Sequence, residues 1–268
     1  MIYFDICAVI ILMMLVFSVF FRKMTVGLTN RLFIVLIFVT LATAVSDILS
    51  VIIPYGGASG VLCSAFQYLY LLLRNSMSPV YILYLISLTD TWHKLNKSLV
   101  FKLFLVVPYS VILVTLVSNF FTGAVFSFDE SEVYTRGAAM PVLYVCSFTY
   151  LVTGIGYIIR YKKLFKAEKL LALCAIFPLT VVSLAIQWVF PDMLVEMFAA
   201  AVSLLLIIVT VQRPEELLDS LTGLSKYGAY GVDMKRNFAN GKRVGIILVN
   251  ISNYSSMHAI LGFDNLNA

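Results

Sequence analysis

Arg74 is the residue with the most chemistry to explain. It falls near the middle of an apolar run, 61–89, with Asn75, Ser76 and Ser78 beside it and Pro79 one turn on. A guanidinium at bilayer depth costs about 2.5–3.5 kcal/mol or more unless it is paired or hydrated, so it must face other protein groups. Two carboxylates can answer it: Asp47 in the run 32–53 and Glu196 in the run 193–211. Each lies one to two turns from the same end of its run, and Arg74 would extend toward that end to meet them. Asn119, Gln67 and Gln187 add neutral donors and acceptors. Two chemistries fit this set, a structural ion pair and a polar pocket that recognises a ligand. Polar side chains in spans also serve as glue between helices, so both stay open. Cys7, Cys63, Cys146 and Cys174 lack metal-type spacing and read as thiols packed like small apolar side chains. No metal site is expected.

The elements that carry these residues follow from composition. Of 268 residues 61% are apolar and 12% charged, and mean hydropathy is +0.97. Soluble domains hold about 25% charged residues, so a water-soluble globule and a disordered chain are both excluded. A helix needs about 20 mainly apolar residues to cross the hydrocarbon core. Seven runs qualify, at 2–21, 32–53, 61–89, 99–119, 140–160, 170–189 and 193–211. The first has no basic region before it and is expected to be a retained span, not a cleaved signal.

Orientation follows from lysine and arginine. The connections 22–31, 90–102 and 160–169 carry eleven of them, and the opposite connections carry one, Arg136, among acidic residues. The sequence therefore predicts an all-α bundle of seven transmembrane helices in the cell membrane, N-terminus outside and C-terminus in the cytoplasm. The net charge of +5 is topological, and no nucleic-acid partner is expected. Domains are expected at 1–211 (membrane bundle), 212–220 (coupling helix or linker) and 221–268 (cytosolic).

The outer connection 120–139 is the long one. Ala124–Phe128, then Asp129-Glu130-Ser131, then Glu132–Thr135 read as strand, turn, strand. This hairpin would lie across the outer mouth of the bundle as a lid or rest at the interface. Pro79, Pro108 and Pro178 imply kinks in three spans. A retinal protein needs a lysine in its last span, and 193–211 has none. The places where a eukaryotic G-protein-coupled receptor carries its signatures read Leu88-Thr89-Asp90-Thr91-Trp92 and Ala201-Val202-Ser203-Leu204-Leu205. No internal repeat of the transporter kind is present.

After Pro214-Glu215-Glu216, suited to a helix start, comes Asp219-Ser220-Leu221-Thr222-Gly223-Leu224. Further on, Val244–Ile251 is an apolar run too short for a span, as expected of a strand buried on both faces. The first motif resembles the signature that opens GGDEF domains, the diguanylate cyclase fold, and the run lies where that family has its first core strand. The resemblance covers 219–262 and implies the first part of an α/β domain that works as a homodimer. In active members an aspartate after that strand holds Mg²⁺, and an asparagine on the next helix reads guanine. The matching positions here are Asn250, with Ser252 after it, and His258. A neutral amide is a poor ligand for a hard dication. Lys226-Tyr227 stands where Asn-Arg is usual, and the sequence ends at Ala268, before the Gly-Gly-Asp-Glu-Phe loop.

The resemblance therefore implies a degenerate, truncated domain without catalytic residues or cofactors, with Mg²⁺ and GTP relevant only to a longer, active protein. The membrane half is similar to the seven-span sensor regions that precede GGDEF and histidine-kinase modules in bacteria, on Pro108, Asn119 and Tyr134-x-Arg136-Gly137. The expected function is a bacterial receptor. A ligand on the outer side would be sensed through Arg74, Asp47, Glu196, Asn119, Tyr134 and Arg136 and coupled to cyclic di-GMP signalling. The alternatives are an active cyclase in a longer protein, and a small transporter or channel, for which one intramembrane charge makes a poor path.

Overall fold

The computed structural model describes residues 2–21, 27–55, 60–92, 98–128, 134–189, 195–211 and, of the remainder, 230–231, 234, 237–238, 241 and 244–249, with the side chains of 54, 55, 184, 187 and 188 excluded. The chain divides into two compact units, Met1–Gln212 and Arg213–Ala268.

In the first unit the described residues form seven helices: α1 (Tyr3–Phe21), α2 (Leu28–Tyr55), α3 (Gly60–Thr89), α4 (Leu99–Thr122), α5 (Met140–Tyr161), α6 (Ala167–Val189) and α7 (Glu196–Thr210). Two short strands, β1 (Phe126–Phe128) and β2 (Tyr134–Arg136), separate α4 from α5. Local chemistry explains several ends. Ser98 caps α4 by accepting the Phe101 N–H. Gly123 closes it at φ +58°, its N–H donating to the Asn119 carbonyl.

Five of the helices, α1 to α5, are long and apolar enough to cross a membrane. The expected span at 193–211 appears as Glu196–Thr210, an apolar helix of 15 residues. At 1.5 Å per residue it reaches about 22 Å, short of the roughly 30 Å hydrocarbon core.

The exterior differs from that of a soluble bundle, and several polar side chains join the apolar core. Large apolar side chains such as Phe21, Val114, Phe121 and Val145 lie exposed along the helices, while Asp5, Thr40, Asp47, Asn75, Thr89 and Asn119 are buried. An apolar surface on that scale is incompatible with water and suits lipid. The unit is a membrane-type helical bundle.

Its helices close a ring. α1 packs on α2, α2 on α3, α3 on α5, α5 on α6, α6 on α7 and α7 back on α1, while α4 braces α3 and α5 from outside. The join between α5 and α6 is the loosest. Tyrosines pin the helices through backbone carbonyls: Tyr81 donates to Leu173 at 2.6 Å, and Tyr150 to Leu105 at 2.6 Å. Leu105 lies in the turn before Pro108, where the proline opens the helical ladder. At the other end of α3, Tyr157 hydrogen-bonds with Thr89, and with Thr91 at 2.5 Å.

In the second unit one expectation is corrected. The run 244–251 is predicted as a strand buried on both faces. Residues 244–249 carry no regular secondary structure, and Ile247 and Leu248 are 90% and 92% exposed. A strand exists through ladder bonds to a neighbour, and among the described residues none pairs with this run. Apolar character creates the demand for burial without supplying the partner.

Candidate functional site

Inside the ring lies a cavity of about 460 Å³. Its walls come from α2, α3, α5, α6 and α7. On α3, Arg74, Ser78 and Ile82 follow one another at four-residue spacing, and on α7 Glu196, Ala200 and Leu204 do the same. That spacing puts each trio on one helix face, so one end of the cavity is charged and the other apolar.

The charged end is an ion pair. Arg74 Nε donates to Glu196 Oε1 at 3.1 Å and Oε2 at 3.0 Å, and Nη2 donates to Oε2 at 2.6 Å. Both side chains are mostly buried. The guanidinium also lies over the Tyr144 ring, 5.5 Å from its centroid, which adds a cation–π attraction. Hydrogen-bonded charge pairs of this geometry are the strong ones. Asn75 supports the arrangement one residue on, accepting from Ser147 at 3.0 Å and donating to the Leu71 carbonyl at 2.7 Å.

Two further carboxylates stand behind the pair. Asp47 on α2 is buried and interacts electrostatically with Glu196 and Arg74. Asp5, in the first turn of α1, is 0% exposed, and neither of its carboxylate oxygens has a hydrogen-bond partner among the described residues. It lies within electrostatic reach of Asp47 and Glu196. Neither Asp5 nor Asp47 lines the cavity. Among the described residues no group of three acidic, histidine or cysteine side chains could hold a metal ion.

The hairpin is present, with Phe126 opposite Arg136, Ser127 opposite Thr135 and Phe128 opposite Tyr134. β1 begins two residues later than the sequence predicts and ends where predicted, β2 runs one residue further, to Arg136, and the connecting residues 129–133 lie outside the described ones. Asn119 fixes it to the bundle. Its Oδ1 accepts the N–H groups of Val125 (2.6 Å) and Phe126 (3.2 Å), while Nδ2 donates to the Phe126 carbonyl (3.2 Å) and the Tyr68 hydroxyl (2.8 Å). Tyr134 is part-buried against Phe126 and Phe128 and lies within electrostatic reach of Arg74 and Tyr144. The hairpin thus sits at the charged end of the cavity.

Of the residues the sequence offered, the fold brings Arg74 and Glu196 into contact, with Asp47 close behind. Asn119 is committed to the hairpin on both its polar atoms. Tyr134 packs inside the hairpin, and Arg136 is exposed on it. Gln67 is buried on α3 without lining the cavity, and the side chain of Gln187 lies outside the described residues. So do Asp219, Leu221, Thr222, Gly223, Leu224, Asn250, Ser252 and His258. Sequence reasoning missed Asp5 and Tyr144. Asp5 had a signal, an acid in the first turn of an apolar run. Tyr144 had none, being one of 15 tyrosines in the chain.

What fold and site define together is a class, a membrane-type helical bundle with a cavity lined at one end by a largely buried ion pair. No known protein family matches the chain, and neither the curated proteins nor the solved structures hold a significant match.

Proposed function

We propose that the chain is a bacterial membrane signalling receptor, with its cavity as the ligand site and its C-terminal unit as a non-catalytic GGDEF-like output in cyclic di-GMP signalling. The observation that carries this reading is the cavity of about 460 Å³ with the Arg74–Glu196 pair at one end and apolar walls at the other. Small-molecule sites are enclosed, mostly apolar and furnished with a few convergent polar groups. In this reading seven spans cross the cell membrane with the N-terminus outside. Support comes from the one-sided lysine and arginine distribution at the connections and from the helix order. In this reading α6 and the shorter α7 add a sixth and a seventh crossing to α1 to α5.

A ligand seated between α3, α5 and α7 would shift α7, which leads into residues 212–220 and the cytosolic module. The motif Asp219–Leu224 supports the GGDEF likeness, and Asn250 and His258 support a non-catalytic role. The expected partners are the bilayer, a ligand from the outer side and a second copy through the cytosolic module.

The test fills the cavity. Ala200→Trp places an indole between α7 and α3. Expression of the wild-type chain in a bacterium with active cyclic di-GMP metabolism is expected to shift the dinucleotide level at least about twofold, and an equally inserted Ala200→Trp chain is expected to lose that shift. Equal levels with wild type, variant and empty vector would refute the reading.

A further inference from the structure

We propose that the cavity takes an amphiphile with a cationic amine head and a single apolar tail, entering from the bilayer between α5 and α6. The inference rests on the reading of the cavity as a ligand site, and four observations give the ligand its chemistry.

The first is shape. From Arg74 to Ile82 on α3, and from Glu196 to Leu204 on α7, the walls run eight residues, about 12 Å. Charge stands at one end of that length and aliphatic side chains at the other, which is the outline of an amphiphile.

The second is the balance of charge at the polar end. Glu196 neutralises Arg74, and Asp47 and Asp5 then remain within electrostatic reach. Two buried carboxyls near that pair need compensation whenever they are ionised, from a proton or from a bound cation. Asp5 states that need most plainly, since it is 0% exposed and neither oxygen has a partner among the described residues. An anionic head would add to it. The acids do not converge tightly enough for a metal ion, whereas an ammonium can sit against Glu196 and feel the other two at longer range.

The third is the lining. Tyr81, Tyr144, Phe148, Tyr150 and Phe177 face the cavity. Aromatic faces attract cations, and Arg74 already uses one of them.

The fourth is the mouth. Val145 and Phe148 line the cavity, yet they are 63% and 62% exposed. Both belong to α5, whose packing on α6 is the loosest join of the ring. In a bundle whose exposed face suits lipid, a side opening of this kind admits molecules already dissolved in the bilayer.

The experiment uses the full chain in phosphatidylcholine nanodiscs and radiolabelled decylamine, with unlabelled decanoate and decanol as competitors. Decylamine is expected to bind saturably and to be displaced by itself, with decanoate and decanol at least about tenfold weaker. Val145→Trp, which fills the mouth, is expected to weaken binding about tenfold at an unchanged melting temperature. Asp5→Asn, which removes a carboxylate without touching the cavity wall, is expected to weaken it severalfold. Absence of saturable binding, preference for decanoate, equal binding of all three, or full binding by a folded Val145→Trp chain would each overturn the proposal. The assay needs no signalling output. Amine binding without a dinucleotide response would sink the receptor reading alone, and a response without amine binding would sink this inference alone.

Discussion

Gly137 lies against the backbone of Ala124. A Cβ at position 137 would stand 2.1 Å from the Ala124 carbonyl oxygen. The approach is fixed by two backbone hydrogen bonds, Gly137 N–H to the Val125 carbonyl and Ala139 N–H to the Ala124 carbonyl, both 2.8 Å. Glycine is required here for want of space, and the close approach docks the hairpin onto α4 and α5.

Gly137→Ala should therefore unseat the hairpin. The expected loss is about 2–3 kcal/mol, in the range for local strain and broken backbone bonds. Limited proteolysis at 120–139 in detergent micelles measures it, and a wild-type cleavage rate would contradict the packing.

Arg74 and Glu196 should behave as one unit. Removing either partner leaves a buried charge alone, so Arg74→Ala and Glu196→Ala should each cost about 3 kcal/mol. The double variant should cost much less than the sum, with a coupling of at least about 1 kcal/mol. Unfolding titrations in micelles give the cycle, and additive losses would show the pair to be idle.

Asp5→Asn should hold or raise stability. The wild-type carboxylate is buried without a hydrogen-bond partner among the described residues, and burying charge without compensation is costly. A gain of about 1 kcal/mol is expected, read as a higher melting temperature. A clear loss would mean that the carboxylate has a structural partner.

Gly154→Ala should shrink the cavity with little effect on folding. The added methyl would meet the Phe177 ring at 3.1 Å and 3.2 Å, and Phe177 lines the cavity. The ring can swing into that space, so a stability cost below about 1.5 kcal/mol is expected. Decylamine binding should weaken more than stability does.

Tyr134 gives a pH dependence. Burial pushes its hydroxyl above the ordinary tyrosine value of 10.0, against the opposing pull of Arg136. The folded hairpin thus favours the neutral phenol. Its contribution is complete below the unfolded value and is lost as pH rises from about 10. Protease sensitivity of the hairpin should climb over that range in the wild type and stay flatter in Tyr134→Phe.

Much of the fold was legible because the bilayer imposes a simple demand. Any segment that crosses must satisfy its own backbone and face lipid with apolar side chains, and that demand writes itself into consecutive residues. Helix positions could therefore be read along the chain, as could the hairpin, whose alternating residues flank a polar turn. The run 244–249 shows the limit, since residues that favour a strand do not name the strand that must pair with them.

The candidate site was legible only in part. That Arg74 needs a carboxylate follows from its depth, and the sequence narrowed the choice to Asp47 and Glu196. The fold chose Glu196, because the ring sets α7 facing the same cavity as α3, while Asp47 stands behind on α2. Asn119 offered the same hydrogen-bonding groups to a pocket or to a backbone, and the docking of β1 settled which. The sequence by itself determined which segments favour lipid and which residues are too polar to face it, since transfer energies belong to each residue. The tertiary structure alone decided which polar groups meet and where space remains between them, since helix rotation and crossing depend on side chains far apart in the chain.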